Sequence, residues 1–465
     1  MFRMIGILLV FIVPLAQAAA PLRVYIEPMR LEGKAAEERI SEPARTAYDA
    51  FRDALGNRPG VTLADRVEWD AGRTRSSDPA QIMKDLGIAL MLRFEYDAER
   101  LDGARNAIRI DVFGPSSSSA IGSRPFRLEK KLDPALIETL IDTVLALRFQ
   151  KILTPKYAVE SGEREQRDIS VSDSGVAWIQ RESDREWQIC FMKDIGSRPA
   201  AVGKPYPKPV QFALGNRYLA VIEAGHIIAA YSTDTLARKV ISDTPARKSD
   251  VTTSEDRFVW IEPNPKAANV VVAQIGKGSP TALDPSSRNQ QQPFLKGDLL
   301  TWSDARDGSW DIYVHDFSTG ETTAVATGPE SQYLPAVSGN YVVYQSKGKG
   351  NLAVNLYNSR TRSTTKVVES SEPIGRPSIY GTTIVYQKLN TLDLRPRGKG
   401  RAKTFDIAVY DLMTKKEHIL AGDWFDQQNP VIGATHVFWE HATFKMESRS
   451  PIDTVIGCMP YPFPE

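Results

Sequence analysis

Short apolar runs separated by polar turns recur through the carboxy-terminal two thirds of the chain. Residues 299–320, LLTWSDARDGSWDIYVHDFSTG, show the unit most plainly: an apolar run ending at Trp302, a turn rich in Asp and Gly, the alternating run DIYVHD, and the turn STG. Alternation with a period of two predicts a half-buried strand, and ARDG and STG supply residues that tolerate tight turns, so the stretch reads as a β-hairpin. Its apolar triplet is one of seven. VAW, LAV, FVW, LTW, VVY, IVY and VFW end at Trp178, Val221, Trp260, Trp302, Tyr344, Tyr386 and Trp439, with successive spacings of 43, 39, 42, 42, 42 and 53 residues.

Each copy supplies further strands. One precedes the triplet, often across a turn with Gly (SVSDSG, QFALGN, PFLKGD, PAVSGN, PSIYGT, PVIGAT). Another follows it (WQICFMK, HIIAAYS, NVVVAQI, DIYVHDF, LAVNLYN, DIAVYDL, DTVIGCM), and a fourth closes most copies (RKVISD, TTAVATG, TTKVVES, EHILAG). Four antiparallel strands at a period near 42 residues predict a β-propeller blade, which cannot bury both of its faces alone. Seven blades are favoured, with six as the alternative. The last copy lacks a fourth strand, and KYAVE (156–160) is the candidate that completes it, so both chain ends share one blade.

Residues 21–151 carry a different pattern. LRVYIEP reads as a strand; Ala44, Tyr48, Phe51 and Leu55 recur at helical spacing up to Gly56-Asn57; VTLADR reads as a short strand. DPAQIMKDLG opens with Asp78 as N-cap and Pro79 in the first turn. Three strands follow (88–100, 107–114, 123–131), then a helix begun by Asp133-Pro134 with the stripe Leu136, Leu140, Val144 and Leu147. The expected architecture is α+β: a small α/β amino-terminal domain (21–151) followed by a β-propeller (152–465).

The first twenty residues, MFRMIGILLVFIVPLAQAAA, combine Arg3, an apolar core and the triplet Ala16-Gln17-Ala18, the pattern of a signal peptide cleaved after Ala18 or Ala20. An exported, soluble protein is expected. Lys plus Arg number 58 against 57 Asp plus Glu, a net charge of +1, so no global field draws the chain to nucleic acid or an acidic membrane. Only Cys190 and Cys458 can form a disulfide; export makes the bond chemically accessible, and both fall on third strands of adjoining blades at the ring closure. The alternative is two buried small hydrophobes.

The α/β segment, with GIALMLRFEYDAERLDGARNAIRIDVFG, and the blades SGNYVVYQS and LTWSDARDGSWDIYVHDFSTGE together resemble the TolB family of the periplasmic Tol-Pal envelope system. That resemblance covers essentially the whole chain after residue 20. It implies a binding protein without catalysis or cofactor, whose propeller face engages a peptidoglycan-associated lipoprotein and whose amino terminus, here Leu22 and Arg23 in AAPLRVYIEP, engages a TolA-like protein. The family propeller has six blades.

Chemical motifs are sparse. Five histidines (226, 315, 418, 436 and 441) are scattered; His436 and His441 bracket VFWE one residue too far apart for H-x-x-E-H, on a strand. Asp304, Asp307 and Asp311 lack the order of a calcium loop, and a strand-joining turn explains them. The sixth repeat carries an insertion with Arg395, Arg397, Lys399, Arg401 and Lys403, cations close enough to meet an acidic partner or anionic glycan, or else a solvated loop. The expected function is a monomeric, non-enzymatic periplasmic scaffold. The rivals are a propeller enzyme or receptor acting on an envelope glycan in the central funnel, and a propeller that only supports another envelope machine.

Overall fold

The computed structural model describes residues 21–31, 42–97, 107–115, 120–127, 134–146, 151–153, 165–285, 288–389, 404–421, 426–444 and 451–461. Its amino-terminal part orders β1 (Leu22–Ile26), β2 (Arg30–Leu31), α1 (Glu42–Gly56), β3 (Val61–Leu63), α2 (Arg66–Arg73), α3 (Pro79–Asp85), β4 (Leu90–Asp97), β5 (Ala107–Phe113), β6 (Ala120–Arg127) and α4 (Pro134–Ala146). The sheet runs β3-β1-β4-β5-β6, with β2 beside β4; β1 is parallel to β3 and β4, and β4 to β6 are antiparallel. Alternation along β4 assigns the two faces. Leu90, Leu92 and Phe94 pack with α1 and α4, whereas Met91 joins Tyr25, Trp69, Ile82 and Met83 beneath α2 and α3. α2 departs from the sequence reading: the strand there ends at Leu63, and Asp65 caps the helix by accepting from Val67 N–H. At α3, Asp78 accepts from Ala80 N–H, as its position before Pro79 predicts.

The rest is seven four-stranded antiparallel sheets, spanning 166–206, 212–242, 249–282, 290–326, 331–370, 374–421 and 426–460. The innermost strand of every blade contacts those of both neighbours, and the seventh returns to the first, so the ring closes. β7 (Lys151–Leu153) supplies the outer strand of blade 7, pairing with Ile456, Gly457 and Cys458. The segment 156–160, which the sequence predicts in that role, lies outside the described residues. β7 itself straddles the division drawn at 151 and 152. α4 packs on the outer strand of blade 6, Lys416–Ala421.

Every triplet-ending residue points toward the preceding blade. Trp260 packs on Ala220, Ile222, Ile228 and Ala230; Trp302 on Val259, Ile261 and Val270; Tyr344 on Ile312; Tyr386 on Val343 and Val354; Trp439 on Val385 and Val409. Val221 meets Ala177 and Ile179, and Trp178 meets Phe438, Ile456 and Cys458 of blade 7. All four tryptophans are essentially fully buried, each removing an area worth about 2–3 kcal/mol from water. The indoles of Trp178, Trp260 and Trp302 donate to Gln180, Glu262 and Asp304, two residues along the same strand.

Candidate functional site

The central channel is the one place where all seven blades converge. Ten residues before each triplet end stand Asp168, Gln211, Asp250, Gln292, Leu334, Arg376 and Asn429. In six blades this residue occupies a β-bulge where the pairing of the innermost strand slips. There φ is positive: 55° at Asp168, 51° at Asp250, 54° at Gln292, 52° at Leu334, 50° at Arg376 and 52° at Asn429. Left-handed backbone without glycine costs on the order of 1 kcal/mol per residue and persists only where surroundings hold it.

A belt of inter-blade hydrogen bonds holds it. Gln211 accepts from Asp250 N–H at 2.8 Å, Asp250 from Gln292 N–H at 3.3 Å, and Gln292 from Leu334 N–H at 2.9 Å. Leu334 and Arg376 cannot accept. In those blades the residue just after the triplet takes over: Gln345 accepts from Arg376 N–H at 3.4 Å and Gln387 from Asn429 N–H at 3.2 Å. Glu440, at the same position in blade 7, accepts from Asp168 N–H at 2.9 Å and from the Asn429 amide at 2.7 Å. Burial holds Glu440 above the usual carboxylate range, with the Asp168 N–H and the Asn429 amide opposing. Burial also raises Asp168, against the pull of Arg167 and Arg376. Blades 6, 7 and 1 thus bring Arg376, Asn429, Glu440 and Asp168 together in the channel.

The far end of the innermost strands carries Lys296 and Tyr380. Lys296 Nζ lies 4.0 Å from the Tyr380 ring centre, and the Tyr380 hydroxyl donates to Asp173 at 3.1 Å. Nearby, a polar cleft of about 320 Å³ between blades 1 and 2 is lined by Asp173, Lys193, Asn216 and Asp234.

The sequence-predicted residues fall in several places. Arg395, Arg397, Lys399, Arg401 and Lys403 lie outside the described residues; Leu389 and Phe405, which flank the insertion, are register partners, so it leaves and rejoins blade 6 at one point. Leu22 and Arg23 belong to β1, inside the sheet: Leu22 N–H donates to Gly60, and Arg23 binds the Leu86 carbonyl and Glu68. Cys190 and Cys458 are buried in one apolar cluster with no disulfide between them, and burial pushes the Cys190 thiol up to about 12.

The acidic turn after Trp302 is a structural lock. Asp304 is fully buried and accepts from Arg306 Nη2 at 2.6 Å, Gln290 at 2.8 Å and Trp302 at 3.2 Å; Arg306 also binds Asp284 at 2.8 Å. Asp307 accepts from Tyr313, and Asp311 from Ser309. Among the described residues no group of three or more His, Cys, Asp or Glu side chains is placed to hold a metal ion. His441 is buried and bonded to Gln427, while His436 pairs with Thr435.

No protein-family model and no curated protein matches the sequence. Solved structures do. An oligogalacturonate lyase from Vibrio parahaemolyticus is 12% identical with a TM-score of 0.50, over 67% of this chain and 93% of that one. TolB from Acinetobacter baumannii is 11% identical with a TM-score of 0.40, over 88% of this chain and 96% of its own. An acylaminoacyl peptidase from Pyrococcus horikoshii is 10% identical with a TM-score of 0.44, over 61% and 50%. The shared property is the propeller fold. The propeller expected from the sequence is present, with the favoured seven blades rather than the six that the TolB resemblance implies. Neighbours of this fold include enzymes, so the fold leaves the function to the site. No helix among the described residues is long and apolar enough to cross a membrane.

Proposed function

We propose that the chain is a non-enzymatic, periplasmic protein-binding scaffold, with the loop face of the propeller as its docking surface. The observation that carries this reading is the belt. Six side chains along the channel, those of Gln211, Asp250, Gln292, Gln345, Gln387 and Glu440, are committed to inter-blade bonds, which favours a rigid disc over a mobile site. By resemblance, its partners are a TolA-like protein, reached through the region of Leu22 and Arg23, and a peptidoglycan-associated lipoprotein-like protein. The insertion carrying Arg395, Arg397, Lys399, Arg401 and Lys403 adds local positive potential for an acidic partner.

Neutralising those five cations in the full chain should weaken binding of an acidic envelope protein at low salt and flatten its salt dependence. Unchanged low-salt affinity would remove the insertion from the interface. One observation favours a second reading, catalysis or recognition of an envelope glycan: Glu440 and Asp168 are adjacent carboxyls with raised proton affinity beside Arg376. Turnover of a glycan panel by the purified protein, abolished by Glu440→Gln, would replace the scaffold reading; no turnover of any glycan would retire the catalytic one.

A further inference from the structure

In a ring of seven blades, blades two apart touch only across its centre, and two contacts here do so. Lys296 of blade 4 reaches Tyr380 of blade 6, passing blade 5, and Tyr380 reaches Asp173 of blade 1, passing blade 7. We infer that Asp173, Lys296 and Tyr380 form a clasp across the channel mouth that holds blade 6 to blade 1 and so guards the composite seventh blade against opening.

The repeat itself makes room for the clasp. Lys296 and Tyr380 both stand six residues before their triplet ends; the other five blades have Ser172, Gly215, Ser254, Ser338 and Gly433 there. Ser254 and Ser338 turn aside, accepting from Gly297 N–H and Gly381 N–H of the next blade, each at 3.0 Å. Ser172 donates to the Gly215 carbonyl at 3.1 Å. Small residues therefore leave the mouth open to two long side chains, and the blades being passed over carry Ser338 and Gly433. A lysine over an aromatic face is an attractive pair, and partial burial strengthens it. Burial also keeps the Lys296 ammonium below its usual range, with Asp173 pulling the other way.

Blade 7 needs such a guard. Its outer strand β7 has three residues, whereas the outer strands of the other blades have five to eight. It is also the blade that joins the two ends of the ring: β7 is continuous in sequence with blade 1, whose first strand begins at Gln166, whereas its other three strands, 426–460, come from the far end of the chain and are tied to blade 1 without a covalent connection of their own. The attachments of those three strands to blade 1 include one isolated backbone bridge, Glu165 to Thr454, side-chain bonds such as Gln166 accepting from Ile456 N–H at 3.2 Å and Glu440 accepting from Asp168 N–H at 2.9 Å, and the apolar layer around Trp178.

The test is amide hydrogen exchange on the full chain, resolved by segment. Tyr380→Phe deletes only the hydroxyl and should speed exchange in Asp426–Ile432 and Pro451–Pro460 by about two- to five-fold, the worth of one partly exposed hydrogen bond, with blades 2 and 3 unchanged. Lys296→Met, which keeps the stem and removes the charge, should act on the same segments. Asp173→Ala combined with Tyr380→Phe should be no faster than Tyr380→Phe alone. Unchanged exchange in blade 7, an equal rise in every blade, or additive effects in the double variant would each overturn the clasp.

Discussion

Asp304→Ala is the sharpest test of how the blades are locked. The carboxylate is fully buried and holds three side-chain donors: Arg306, Gln290 and Trp302. Deleting it leaves the Trp302 indole without an acceptor inside the layer between blades 3 and 4. Gln290 keeps the Asp284 carbonyl and Arg306 keeps the Asp284 carboxylate, so neither is wholly abandoned. Breaking a buried ion pair costs about 3–5 kcal/mol; the remaining partners of Arg306 and Gln290 place this case near the lower end, about 3 kcal/mol. The assay is urea unfolding followed by tryptophan fluorescence. Burial pushes the Asp304 carboxyl up, but the bonds from Arg306, Gln290 and Trp302 outweigh it and hold the group below its ordinary range. A depressed folded value means the stabilisation is fully present above the unfolded value, about 3.9, and is lost as the pH falls through the folded one. Asp304→Asn should therefore flatten the acid limb of the stability profile. A loss under about 1 kcal/mol for the alanine variant, or an acid limb unchanged in the asparagine variant, would refute the reasoning.

Two further outcomes are expected. A Cβ on Gly457 would lie 2.5–2.8 Å from the buried Trp439 ring, so Gly457→Ala should destabilise by about 1–3 kcal/mol through overpacking, read as a lower urea midpoint; an unchanged midpoint would mean that the indole moves freely. Cys190, 6% exposed and with its thiol pushed up to about 12, should resist alkylation in the native protein at pH 8, while both cysteines react in denaturant; a missing pair of thiols there would reveal a disulfide.

The ring was legible because its spacing is written in large apolar residues. Trp178, Trp260, Trp302, Tyr344, Tyr386 and Trp439 are bulky, buried and evenly placed, so the packing requirement itself creates the pattern. Strands that pack little left less trace. Ala200–Tyr206 and Lys277–Ala282, the outer strands of blades 1 and 3, contain Gly203, Pro205, Gly278 and Pro280 and are mostly exposed, so neither alternation nor propensity marks them. α2 hid behind the apolar start of VTLADR, although Asp65 two residues before Val67 carries its cap. β7 and 156–160 are both short and strand-like, and only pairing with Ile456–Cys458 decides between them.

The channel was the least legible part. Asp168, Asp250, Gln292, Leu334, Arg376 and Asn429 share a left-handed backbone but no common side-chain chemistry, so no residue type marks the position. The substitution of Gln345, Gln387 and Glu440 as acceptors becomes visible only when neighbouring blades are superposed on the ring. Nor does any local pattern announce that Lys296 and Tyr380, 84 positions apart, meet.

The backward-facing aromatics give the ring a direction in time as well as in space. As the chain emerges amino terminus first, each new blade finds its predecessor already made and can seal its own large side chain against it at once. Trp178 alone must wait, because the wall formed by Phe438, Ile456 and Cys458 emerges last. Its indole is thus the natural reporter of completion: a chain that stalls or is cut short would leave that one tryptophan wet while the other buried tryptophans already made are dry.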